Sequence, residues 1–71
     1  MDTLKKNRFH IVPGQIRRFR EEKKYVYYLV LGEKKDHPYF WNLFLFNPLP
    51  GENNTATWVA SVIWDQEVVS C

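Results

Sequence analysis

From Phe9 onward the chain sorts into short apolar stretches parted by polar turns. Tyr25-Val26-Tyr27-Tyr28-Leu29-Val30-Leu31 is the plainest strand signal, β-branched and aromatic with both faces apolar. Tyr39-Phe40-Trp41-Asn42-Leu43-Phe44-Leu45-Phe46 predicts a second strand of the same kind, interrupted only by Asn42. Ala56 to Asp65 alternates: Ala56, Trp58, Ala60, Val62 and Trp64 share one face, and Thr57, Val59, Ser61, Ile63 and Asp65 share the other. This predicts a third strand with its tryptophans inward and its Thr/Ser/Asp face partly wet. Gln15 to Arg20 predicts an earlier strand in which Ile16 and Phe19 stand three apart, and a bulge would bring both to one face. Glu67-Val68-Val69-Ser70 predicts a short last strand.

The punctuation agrees with this division. Pro13-Gly14 signals a turn, because proline presets φ and glycine admits positive φ. Glu21-Glu22-Lys23-Lys24 is a charged hairpin tip, Gly32 to Pro38 a polar loop, and Asn47 to Thr55 the longest loop. Five short strands without an amphipathic helix predict an all-β domain. At this size one sheet must curl to cover its apolar faces, so the expected fold is a small five-stranded SH3-like barrel or a strongly curled antiparallel sheet. The competing reading is a three-stranded sheet with a helix near residues 14–24.

Pro13-Gly14-Gln15-Ile16-Arg17-Arg18-Phe19, followed by a hairpin into Tyr28-Leu29-Val30-Leu31, resembles the opening of small SH3-like barrel proteins, the MazF/PemK toxin group among them. The Arg-Pro that this group carries before its second strand is absent, and Tyr27-Tyr28 stands in its place. The resemblance therefore implies a fold and does not carry over ribonuclease activity.

Length and composition narrow the picture. Seventy-one residues, 45% apolar and 17% aromatic, make one small domain too apolar for a disordered chain. We expect a basic flexible tail over residues 1–8 and a single β-barrel domain over 9–71. Cys71 is the one cysteine, so no internal disulfide can form, and no Cys or His spacing suggests a metal staple. The core must then be built from the twelve aromatic residues and their aliphatic neighbours. No apolar run approaches the roughly 20 residues of a membrane helix. Met1 to Arg8 lacks the apolar centre of a signal peptide, so the expected location is the cytoplasm, that of a host if the chain is phage-encoded.

Candidate chemistry is sparse. Ser61, Ser70, His10, His37 and Cys71 form no nucleophile–base–orienter set in the sequence pattern, Asp36-His37 is at most one pair of ligands, and the glycines are isolated. No catalytic residue, metal site or cofactor is expected. A nuclease built from His37, Arg18 and Glu22 is the enzymatic rival.

Two features stand out instead. Eight of the twelve aromatics fall between Tyr25 and Phe46, more than one small interior can hold. Some of Tyr25, Tyr27, Tyr39 and Trp41 should therefore be exposed or covered by a partner, and Tyr and Trp are favoured at protein interfaces. Charge is also segregated. Residues 1–24 hold eight basic residues against three acids, and residues 25–71 hold two against five, within an overall charge of +2. The leading expectation is a non-enzymatic binding protein that grips another protein, or a second copy of itself, through Tyr25, Tyr27, Tyr39 and Trp41. Such a chain would suit a phage- or plasmid-encoded inhibitor of a host protein. The alternative is RNA or single-stranded DNA binding through Lys5, Lys6, Arg8, Arg17, Arg18 and Arg20 with aromatic stacking.

Overall fold

The computed structural model describes residues 10–70. Five strands and one short helix follow in the order β1 (Ile16–Glu21), β2 (Lys24–Glu33), β3 (Phe40–Leu45), β4 (Thr55–Val59), α1 (Ala60–Ile63) and β5 (Glu67–Ser70). They form one antiparallel sheet in the order β4-β3-β2-β1-β5. The expected all-β class is the class observed, and residues 14–24 form no helix. The expected tail over 1–8 and the residues Phe9 and Cys71 lie outside the described part.

The sheet is open but strongly curled. Phe19 on β1 and Trp58 on β4 are separated by two intervening strands, a distance of about 14 Å in a flat sheet. Their ring centroids lie 5.4 Å apart in an edge-to-face contact, and Trp58 also meets Tyr28 at 5.2 Å. The concave side thus closes over a core of Val26, Tyr28, Val30, Leu43, Leu45 and Ile63, with Phe19, Trp41, Leu49, Ala56 and Trp58 packed against it.

Strand alternation sorts each strand between two faces. On β1, Arg17 and Phe19 pair with Tyr28 and Val26 on the inner face, while Ile16, Arg18 and Arg20 pair with Leu29, Tyr27 and Tyr25 on the outer face. The β1–β2 register is unbroken, so Ile16 and Phe19 lie on opposite faces and the bulge expected to unite them is absent. A register shift does occur at Ile16/Arg17, but in the pairing of β1 with β5. A second shift between Val30 and Gly32 leaves Leu31 as an extra residue of β2, half-exposed.

The predicted strand over 56–65 stops at Val59. The Ala60 N–H still donates to Tyr39 O at 2.7 Å, but β3 begins at Phe40 and offers nothing further to pair with. The chain satisfies its next amides locally, with Trp64 N–H donating to Ala60 O and Gln66 N–H to Ile63 O. Ala60 and Ile63, three apart, become the buried face of α1, and Val62 and Trp64 turn outward. Period-two alternation and helical spacing were both present in this segment, and loss of the partner strand selected the helix.

Candidate functional site

The outer face of the sheet carries an apolar surface that no described residue covers as a second layer. Its rows follow from the strand register. Arg20 lies beside Tyr25; Glu67, Arg18 and Tyr27 form the next row; Ile16, Leu29, Phe44 and Thr55 form the next. Phe46 extends the Tyr27 row, its N–H donating to Tyr27 O at 2.9 Å. Tyr27, Leu29 and Ile16 are half-buried, while Tyr25, Phe44 and Phe46 are exposed, Phe46 to 49%.

The rings on this face are organised into two groups. Tyr25 and Tyr27 lie 6.3 Å apart, and Phe44 and Phe46 meet edge to face at 5.6 Å. The Arg18 guanidinium lies 4.1 Å from the centre of the Tyr25 ring, a cation–π contact. Arg18 Nε also donates to Glu67 Oε1 at 2.6 Å, and Nη1 donates to the Tyr27 hydroxyl at 3.2 Å. The hydrogen bond to Glu67 first, and that to Tyr27 second, hold Arg18 protonated more firmly than an ordinary arginine. One guanidinium thus fixes two tyrosines and an acid from a neighbouring strand.

Asn47 supports the other side of the face. β3 ends at Leu45, yet Asn47 Oδ1 accepts from the Tyr27 N–H and Asn47 Nδ2 donates to Tyr25 O, each at 2.8 Å. The amide side chain takes the place of the missing strand backbone beside the tyrosines. Toward β4 the face continues as a groove of about 720 Å³ bordered by Leu31, Gly32, Asn42, Thr55 and Thr57.

Of the four residues predicted for protein binding, the structure brings Tyr25 and Tyr27 together. Tyr39 is 73% exposed but sits in the β2–β3 loop. Trp41 lies on the inner face opposite Trp58, half-buried against the core. Phe44, Phe46, Leu29 and Ile16 join the tyrosines instead. Even-numbered β3 residues could be assigned to this face only once the β2–β3 register, with its bulge, was known.

The residues expected to bind nucleic acid divide between the faces: Arg18 and Arg20 share the outer face of β1, and Arg17 does not join them. Arg17 is 0% exposed and points inward, a correction to its expected place in the nucleic-acid-binding set. Its Nε donates to Gln15 Oε1 at 2.7 Å, Nη1 to Ile63 O and Gln66 O, and Nη2 to His10 O. Adjacent strand residues point to opposite faces, so Arg17 and Arg18 cannot share one surface. Arg20 is exposed, with Nε donating to Glu22 O at 3.0 Å. Lys5, Lys6 and Arg8 lie outside the described residues.

The enzymatic rival finds no common site. Glu22 sits at the β1–β2 tip and His37 in the loop beyond the far end of β2, whose ten residues span roughly 30 Å. Among the described residues no three His, Cys, Asp or Glu side chains gather as metal ligands, and no helix is long and apolar enough to cross a membrane. Compared with protein-family models, curated proteins and solved structures, the chain matches none of them.

Proposed function

We propose that this chain is a non-enzymatic binding module that receives a partner protein on the outer face of β1–β3. Tyr25, Tyr27, Leu29, Phe44 and Phe46 supply the contact, and Arg20 offers a cation at its rim. The observation that carries this reading is the double apolarity of β2 and β3. Their inner side chains close on the core, while their outer aromatics are left half-buried or exposed. A sheet face of this kind gains by burial against a second layer. Tyrosine rings that Arg18 already positions, on backbone that Asn47 braces, have less conformational entropy to lose on binding. A complementary partner surface presents apolar side chains to the rings and a carboxylate to Arg20. A small module of this form suits an inhibitor that works by occluding a host protein, encoded on a phage or plasmid.

The strand order, with a short helix joining β4 to β5, supports an SH3-like barrel as the parent architecture. The geometry lends less support to a nucleic-acid face, because Arg17 is buried and Arg18 is bound to Glu67.

Phe44→Asp and Tyr27→Ala test the reading. Recovery of a protein partner by the tagged chain is expected to fall at least about tenfold in each variant, with an unchanged circular dichroism spectrum. Nuclease treatment is expected to leave recovery by the unmodified chain intact. Undiminished recovery in both folded variants overturns the proposal.

A further inference from the structure

We infer that a second copy of this chain pairs with the open edge of β4, antiparallel about a two-fold axis at Thr57. The inference concerns an edge of the sheet and does not rest on the outer-face reading above.

The two edges of the sheet differ. β5 carries Glu67, bound to Arg18, and a register shift in its pairing with β1. A charge and a bulge are two devices that discourage a strand edge from accepting another strand. β4 reads Thr55-Ala56-Thr57-Trp58-Val59, with no charge and no proline, and its pairing with β3 is regular.

Two rungs fix the phase of its backbone. Ala60 N–H donates to Tyr39 O, and Leu45 N–H donates to Asn54 O. Antiparallel pairing alternates, so the even-numbered residues of β4 bond to β3 and the odd-numbered ones point away. The N–H and C=O of Thr55 and Thr57 and the N–H of Val59 therefore aim outward; Val59 is the N-cap of α1, so its carbonyl serves the helix.

This arrangement is self-complementary. With the axis at Thr57, each Thr57 exchanges both backbone bonds with its twin, and each Val59 N–H reaches the partner's Thr55 carbonyl. On the inner side Trp58 falls opposite Ala56 of the partner subunit, in the closely spaced type of pair where a large side chain meets a small one. Beside Ala56 the edge already holds a recess of about 260 Å³, lined by Leu45, Glu52, Ala56 and Trp58. On the outer side Thr57 faces Thr57 of the partner subunit, a pair without charge. A two-fold contact sets each axial residue against its own copy, so an uncharged axis is what self-pairing needs. The product is a continuous ten-stranded sheet.

The test uses the whole chain in sedimentation across a concentration series. The unmodified chain is expected to reach twice the 8.6 kDa mass of one copy. Thr57→Lys and Thr57→Asp, each at an exposed position, place like charges across the axis and are expected to raise the dimer dissociation constant at least about tenfold. Mixing the two variants is expected to restore the two-chain mass, which misfolded chains could not do. Phe44→Asp on the outer face is expected to leave the dimer intact. An unmodified chain that stays monomeric up to about 1 mM overturns the inference. So does a dimer that Thr57→Lys leaves whole, one that Phe44→Asp dissolves, or a chain whose β4 edge pairs only with an unrelated polypeptide.

Discussion

Arg17 and Arg18 are neighbours in sequence and opposites in role. Arg17 lies on the inner face, fully buried, and ties β1 to the backbone on both sides of it through His10, Ile63 and Gln66. Arg18 lies on the outer face, where it stacks on Tyr25 and pairs with Glu67 in contact with water. The inner guanidinium replaces absent strand pairing: α1 and the segment before β1 are held to the sheet by its donors. The outer one arranges side chains and leaves the backbone alone. A residue's type mattered less here than the face on which the pleat placed it.

The sharpest way to break this comparison is to remove each arginine in turn. Arg17→Met orphans buried carbonyls and the Gln15 amide, and is expected to cost about 3–5 kcal/mol, a large share of the stability of a small domain. Arg18→Met is expected to leave the urea midpoint close to the parent's, since exposed ion pairs contribute little. Urea denaturation of the pair measures the difference, and equal costs would erase the distinction between the faces. Arg17→Lys is not expected to rescue, because an ammonium cannot span the positions the guanidinium reaches.

A smaller effect is expected at the border of the outer face. Asn47→Ala leaves the Tyr27 N–H and Tyr25 carbonyl without their partner, at a cost of about 1–2 kcal/mol. Faster amide exchange at Tyr27 than at Val30, the latter held by Gln15 O, would localise the loss to the end of β2 that carries the tyrosines.

The smallest expected effect lies in the core. The Tyr28 hydroxyl is buried without a hydrogen-bond partner, and burial raises its pKa well above the usual tyrosine value, with the nearby Arg17 charge acting weakly in the opposite sense. Tyr28→Phe removes an unsatisfied polar atom, so its stability near neutral pH is expected to match or exceed the parent's by up to about 1 kcal/mol. In the parent the unfolded chain ionises this phenol above about pH 10 while the folded chain does not, so stability falls as pH rises beyond that point. Tyr28→Phe is expected to lose that part of the fall, about 1.4 kcal/mol per pH unit, in denaturation followed from neutral to alkaline pH. An unchanged alkaline slope would place the hydroxyl in water.

The doubly apolar strands, a hairpin connection within Glu21 to Lys24 and the excess of aromatics over interior space were all legible in the sequence, because alternation and side-chain volume are local properties; the structure narrows that connection to Glu22-Lys23. The end of β4 was not: Ala56 to Asp65 supports both a strand and a helix, and the choice waited on where β3 begins. The composition of the candidate face was half legible. Tyr25 and Tyr27 follow from β2 alone, but Trp41 lies on the inner face and Phe44 and Phe46 join the tyrosines through a pairing between strands that no local pattern states.

By itself the sequence determined an all-β sheet whose apolar surface exceeds what one small core can absorb. Only the tertiary structure decided which aromatics fill that core, which arginine is buried and which strands form the edges. Pleat and propensity act over a few residues, whereas register and curl are set by contacts between strands distant in the chain, as where Phe19 meets Trp58.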